Sequence, residues 1–383
     1  MNFYWLALTA FAIGTEAFVI TGLLPIIAAD IDISIAGTGL LVTVYALTYA
    51  VGSPILAVVF NNIDRKRAMV LALICFIAGN LAAAMADGLA MLLIARMVMA
   101  VAAGLAIPTA NAVAIALAPP ERRGRAIAVV SSGMTVSTVL GVPLGTMVGD
   151  SLGWHATFLL VALLGVLALA GLVFGLPRGL PRSAATLAQR LAVARDGAVL
   201  RTLAATTVWA ASIFTVFTYV AVALHDVGLT ASGVSFALLV FGIAAAIGNT
   251  AGGRLVDRFA PRPVASIALA LLAVALALES FTLKFAPPMI AAPAIELLLF
   301  LWGLGGWAFY VAQVVALVRL SPQAPMIALS LNASAMYLGI GLGGTIGGTL
   351  LATLGPTDLG WVGACGLALA LALTLWRRTV APP

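Results

Sequence analysis

The sequence predicts an all-α membrane protein of twelve transmembrane helices in two pseudo-symmetric six-helix bundles, and three observations carry that prediction. Hydrophobic residues make up 63% of the 383-residue chain and charged residues 8%, against about 25% charged in an ordinary soluble domain. So few charges cannot cover a water-facing surface. Twelve stretches reach or approach the ~20 mostly apolar residues that a span requires. The chain also repeats itself: Gly52 to Lys66, GSPILAVVFNNIDRK, returns as Gly248 to Arg262, GNTAGGRLVDRFAPR, and the ladder Gly141, Gly145, Gly149 returns as Gly339, Gly343, Gly347. Both offsets are about 200 residues, so the halves read as two copies of one unit.

The spans fall in order near 4–28, 37–60, 68–86, 89–118, 126–148, 156–176, 202–224, 232–256, 264–283, 289–318, 326–353 and 359–376. The first has no basic segment ahead of it and runs on too far for a signal peptide, so it is expected to stay as a span. The second and eighth close on the two copies of the repeated loop. The fourth and tenth approach 30 residues, which implies tilt or extension beyond the hydrocarbon. The longest connection, from Arg178 to Arg201, joins the sixth and seventh spans, and its stretch TLAQRLAVARD has the spacing of a short surface helix. This divides the chain into residues 1–177, a linker 178–201, and residues 202–383. Cys75 and Cys365 sit in apolar runs of different halves, where a thiol acts as a small hydrophobe.

A net charge of +6 would suggest nucleic acid in a soluble protein, but position excludes that partner here. All Lys and Arg except Arg96 and Lys284 lie in the loops 61–67, 119–125, 177–201, 254–263 and 319–325 or in the tail at Arg377 and Arg378. The opposite loops carry Asp30, Asp32, Asp87, Asp150, Asp226 and Asp358. The chain therefore has a basic face and an acidic face. By the positive-inside rule the basic face, with both termini, is cytoplasmic.

The repeated loops resemble the signature of the major facilitator superfamily, a Gly, a hydrophobic stretch, Asp-Arg and a basic cluster after the second span. The second copy fits, with Asp257, Arg258 and Arg262; in the first the acidic position is Asn61 and the late Gly is Asp64, although Arg65, Lys66 and Arg67 remain. The resemblance implies a cytoplasmic gate built from Asn61, Asp64, Arg65, Arg67, Asp257, Arg258 and Arg262. Alternatively, the basic residues only set topology. RMVMAVAAG, from Arg96, resembles the superfamily's intramembrane arginine motif, and PPERRGRA, from Pro119, its next loop. GMTVSTVLGVPLGTMVGDSLGWHATF, from Gly133, resembles the Gly- and Pro-rich motif of drug and proton antiporters, with His155 where relatives carry Arg. Gly141, Gly145 and Gly149 would let two backbones approach closely, and Pro143 would add a kink or weak point. The segments from Gly14, Leu301 and Leu331 are similar to the branch that exports drugs, sugars and purine nucleosides. The likeness covers the full chain and implies the major facilitator fold, with a cavity between the halves lined by spans one, four, seven and ten.

Two charges inside spans demand a reason, since each costs about 2.5–3.5 kcal/mol at the centre of a membrane helix. Counted at ~1.5 Å per residue from opposite faces, Glu16 and Arg96 reach similar depth and can pair. Low dielectric favours the protonated acid, and a neighbouring guanidinium favours the carboxylate. Glu16 is thus a candidate proton carrier, with substrate contact and a fixed structural pair as its other readings. Arg96, Asn111, Gln313 and Asn332 would offer charge and hydrogen bonds to cargo, and Trp209, Trp302 and Trp307 stacking surfaces. Phe309, Tyr310, Phe214, Phe217 and Tyr219 invite the same reading. Glu296 is expected to pair with Lys284, and Glu279 to be an exposed end residue.

The expected function is that of a proton-coupled efflux antiporter for a drug, sugar or nucleoside, working by alternating access in a bacterial inner membrane. It would act as a monomer and use a proton gradient but no metal or cofactor. A symporter or facilitator for sugars or nucleosides on the same fold is the alternative. A membrane enzyme is disfavoured, because no nucleophile and base constellation, metal spacing or phosphate loop is present in the sequence.

Overall fold

The structure, a computed structural model, describes residues 3–60, 63–119, 122–177, 179, 192–193 and 195–376. Among these, twelve helices are long and apolar enough to cross a membrane: α1 (Tyr4–Asp30), α2 (Ile35–Val59), α3 (Arg65–Ala84), α4 (Leu89–Leu117), α5 (Arg123–Leu152), α6 (Trp154–Gly175), α7 (Gly197–Asp226), α8 (Ala231–Phe259), α9 (Pro261–Phe285), α10 (Met289–Leu320), α11 (Pro325–Thr353) and α12 (Pro356–Leu375). Each predicted span overlaps one of them. The described residues contain no strand. Asn61, most of the 178–201 linker, and the tail arginines Arg377 and Arg378 lie outside the described residues.

Helix starts follow local chemistry. Asp64 caps α3 by accepting from Arg67 N at 3.1 Å, Asp196 caps α7 by accepting from Ala198 N and Val199 N at 2.7 and 3.0 Å, and Thr230 caps α8. Each cap satisfies an amide that has no partner within its helix. Pro261 and Pro325 open α9 and α11, where the missing N–H costs nothing. Inside α5 the turn Ser137–Gly141 is π-helical and Pro143 follows it, so the ladder segment is the irregular part of that span.

Helix pairing is the same in the two halves. In one, α1 packs on α5 and α6, α2 on α4, and α3 on α4 and α6; in the other, α7 packs on α11 and α12, α8 on α10, and α9 on α10 and α12. The glycine ladders make the first pair of each set. Gly141, Gly145 and Gly149 of α5 face Thr15, Val19 and Leu23 of α1, and Gly339, Gly343 and Gly347 of α11 lie on α7. Without the hydrophobic effect to drive helices together in lipid, such small-residue contacts hold spans by close packing.

Across the halves, α2 meets α11 and α5 meets α8. Thr43 Oγ1 lies 3.4 Å from both the Gly341 carbonyl oxygen and Thr345 Oγ1, and Phe18 stacks on Phe214 with centroids 6.3 Å apart. These contacts lie from mid-depth toward the acidic face. Toward the basic face, α8 borders a recess of about 460 Å³ lined by Ile243, Ile247, Thr250 and Arg254, with Val139 of α5 at its edge.

Candidate functional site

Three helices of the first half converge on one buried charge pair. Glu16, at mid-length in α1, and Arg96 of α4 are both 0% exposed, and Arg96 Nη1 donates to Glu16 Oε1. The guanidinium is held by backbone as well. Its Nε donates to the Leu41 carbonyl of α2 at 3.1 Å and Nη1 to the Glu16 carbonyl at 3.3 Å. Tyr45 of α2 lies beneath it, with the ring centroid 4.1 Å from Arg96 Cζ, so a cation–π contact supplements the ion pair. Arg96 Nη2 has no hydrogen-bond partner among the described residues, while the Glu16 carboxylate also interacts with the Tyr45 side chain.

The pair sits beside the seam between halves. Tyr337 of α11 stacks on Tyr49 of α2 at 3.7 Å and lies 6.2 Å from Tyr45. One chain of contacts therefore runs from the Arg96 guanidinium through Tyr45 to Tyr337 in the other half. The tyrosines were not singled out by sequence reasoning. Their signal was available in part, since Tyr45 and Tyr49 are four apart and share one face of α2.

The aromatic and amide candidates separate into groups. Trp209 of α7 packs on Phe309 and Tyr310 of α10, at 5.1 and 6.3 Å, and Trp307 meets Tyr310 edge-on at 5.8 Å. Asn332 of α11 accepts from Thr206 Oγ1 at 2.9 Å and lies beside the Tyr310 hydroxyl. Trp302 stands apart from these, edge-on to Phe217 and Phe241 inside the second half. Tyr219 donates to the Gly344 carbonyl at 2.9 Å and fastens α7 to α11. Asn111 is half-buried on α4, with its Oδ1 unpartnered. Gln313, one turn beyond Tyr310 on α10, lines a recess at the basic-face ends of α7, α9, α10 and α12.

Several basic loop residues bond to helix ends of their own half. Arg65 Nη1 donates to the Ala112 carbonyl of α4 at 2.7 Å, and Lys66 Nζ to the carbonyls of Val173 and Leu176 at the end of α6. Arg262 donates to the Leu375 carbonyl at the end of α12. Cations at helix C-termini are favoured by the aligned peptide dipoles and the unsatisfied carbonyls there. Arg67, Asp257 and Arg258 are exposed, and Arg258 lies over the neighbouring Phe259 ring.

Two expectations are corrected. Lys284 pairs with Asp358, at 3.1 Å, rather than with Glu296, because α9 and α12 are neighbours and bring those ends together. Glu279 is not an exposed end residue but is 2% exposed within α9, with Oε1 unpartnered; it lies on the same inward stripe as Leu272, Ala275 and Leu276.

Comparison with known proteins agrees with this geometry. The family model described as Major Facilitator Superfamily matches residues 6–227 and 202–383. The MFS-type transporter YtbD of Bacillus subtilis is 35% identical, over 97% of this chain and 94% of its own length. The inner membrane transport protein YdhP of Escherichia coli K12 is 31% identical over 97% and 95%. A chloramphenicol resistance protein of Streptomyces lividans is 32% identical over 97% and 94%. Among solved structures, a D-xylose-proton symporter superposes with a TM-score of 0.79, covering 97% of this chain and 96% of its own, at 16% identity, and so shares the fold. With the helix pairing, the seam and the buried charges in place, this multi-pass membrane protein belongs to the Major Facilitator Superfamily.

Proposed function

We propose that this transporter exports a small organic molecule in exchange for protons, with Glu16 as the proton carrier and the two halves rocking about the seam. The single observation behind the reading is the buried Glu16–Arg96 pair beside the seam, with Arg96 Nη2 left without a hydrogen-bond partner among the described residues. A saturated pair would be a structural rivet. An unsaturated one, in a region where each unpaired polar group costs about 1–3 kcal/mol, favours a proton or cargo that completes it. Protonation of Glu16 neutralises the carboxylate and releases Arg96 from its partner, so proton and cargo compete for one site.

With the basic face cytoplasmic, the contacts between the halves from mid-depth outward support an inward-facing arrangement. In the cycle, cargo enters from inside, the halves rock, and proton uptake outside expels it. Proton release to the cytoplasm then resets the pair. The energy source is the proton gradient, and no cofactor is required.

The resistance relative supports a drug-like cargo. The clustered rings of Trp209, Phe309, Tyr310 and Trp307, next to the Asn332 amide, suit a flat organic ring with hydrogen-bonding groups. The test is counterflow in sealed vesicles under an imposed pH gradient, with chloramphenicol, a pentose and a purine nucleoside as probes. Glu16→Gln is expected to abolish gradient-driven accumulation while leaving exchange at equal pH. Wild-type coupling in that variant, or equal transport with no pH difference and no voltage, would sink the proposal.

A further inference from the structure

Away from the charge pair, the basic-face ends of α7, α9, α10 and α12 enclose a recess of about 360 Å³. Among the described residues Arg201, Arg262 and Arg319 line it, and no carboxylate does. Arg201 Nη1 donates to the Trp376 carbonyl at 2.9 Å, and Arg262 Nη2 to that of Leu375. Two of the three guanidiniums are thereby anchored by the end of α12. A guanidinium has five N–H donors, so each keeps several for a further acceptor.

Gln313 lines the same recess, is 4% exposed, and its Nε2 has no partner. Nε2 carries N–H donors, so an acceptor in the recess would complete this side chain. Three like charges around one partly enclosed space repel one another, and a buried amide without a partner is costly. One acceptor-rich anion relieves both. Phosphate fits best, because its several oxygens accept from planar guanidinium forks two at a time.

We propose that this recess binds a phosphate group, carried either by the headgroup of an acidic phospholipid or by a free phosphate ion. The rest of its wall includes Ala316, Leu320, Leu373 and Trp376. This apolar portion suits glycerol and the first acyl carbons, and a phospholipid headgroup would sit at the depth where such basic pockets meet the leaflet. The inference stands apart from the direction of transport and from Glu16.

The test is thermal unfolding and native mass spectrometry of the purified full chain in detergent. It is titrated separately with phosphatidylglycerol, phosphatidylcholine and inorganic phosphate. Phosphatidylglycerol is expected to stabilise the protein saturably and to be retained in mass spectra, whereas phosphatidylcholine is not. Arg319, whose guanidinium makes no bond to α12, is the site to change. Arg319→Gln is expected to weaken binding roughly tenfold, Gln313→Leu to weaken it less, and Arg319→Lys to retain part of it, because charge survives without the fork. Arg125→Gln, an exposed change at the basic-face end of α5 in the other half, should bind as the unaltered protein does, which separates a site from general attraction to acidic lipid. A saturable shift with inorganic phosphate alone would support the recess with the free ion as its source. Undiminished binding in both Arg319→Gln and Gln313→Leu, an equal loss in Arg125→Gln, or no response to either phosphate source would overturn the proposal.

Discussion

The two glycine ladders occupy corresponding places in their halves and meet different atoms. A Cβ on Gly145 would come 2.6 Å from Val19 Cγ2, and on Gly141 or Gly149 it would run into the side chains of Thr15 or Leu23. On Gly343 it would instead lie 2.5 Å from the Ala211 carbonyl oxygen and 2.9 Å from Thr215 N, and on Gly339 or Gly347 it would strike the backbone oxygens of Thr207 or Thr215. Thus along the ladder α11 lies backbone to backbone on α7, whereas the ladder of α5 meets side chains of α1, and α5 reaches the α1 backbone only nearer the basic face, where Gly133 faces the Ala7 carbonyl. The side-chain-buffered contact is the one that carries Glu16, one residue beyond Thr15. The backbone contact covers the stretch of α7 that holds Trp209 and no charge. Equal spacing in the sequence has produced a rigid wall in one half and a wall around a charge pair in the other.

The largest test of this contrast removes the charge on one side only. Arg96→Ala strands Glu16 in apolar surroundings, and a loss of about 3–5 kcal/mol in detergent unfolding is expected. The double change Glu16→Ala with Arg96→Ala should recover part of it. A loss below about 1 kcal/mol for Arg96→Ala would show that the first half does not depend on the pair for its stability.

Next come the ladders themselves. Gly343→Ala is expected to cost on the order of 2 kcal/mol, because a carbonyl and an amide of α7 must move; Gly145→Ala should cost about half as much, because Val19 can turn aside. Equal losses would erase the distinction drawn above. Both are read from unfolding temperature.

A smaller pair of effects should differ in sign. Ala260 and Asp64 hold matching places in the repeated loops. Asp64 caps α3, while Ala260 enters α9 at φ 69° and ψ 162°, a region that only glycine occupies without strain. Ala260→Gly is therefore expected to stabilise by about 1 kcal/mol, and Asp64→Ala to destabilise by about 1 kcal/mol through loss of the cap. Unfolding midpoints moving in the same direction would contradict this account. The smallest change concerns the exposed counterpart of the buried pair. Lys284→Gln should alter stability by less than about 1 kcal/mol, since the Lys284 side chain is 47% exposed and its partner Asp358 25%.

Much of this was legible before any coordinates. Hydropathy over about 20 residues is a local sum, so the twelve spans could be placed within a few residues of their ends. The ladder at Gly141, Gly145 and Gly149 announced close packing because only glycine every fourth residue leaves such a groove. Glu16 and Arg96 stood out against apolar surroundings. Tyr45, Tyr49 and Tyr337 did not, since an aromatic ring in a span has the same local pattern whether it faces lipid, a neighbour or the opposite half. Glu279 was misjudged for a related reason, because depth along a helix says nothing about which side of it is covered.

Sequence alone therefore determined the class, the number of spans, the repeat, the basic and acidic faces and the two charges that need explaining. All of these follow from composition, period and the cost of charge in lipid, which each segment carries by itself. Only the tertiary structure decided that Arg96 leans on Tyr45 beside the seam, that one ladder touches side chains and the other backbone, and that three arginines share a recess with Gln313. Those depend on how helices far apart in the chain are turned toward one another, and no segment encodes its neighbour's rotation.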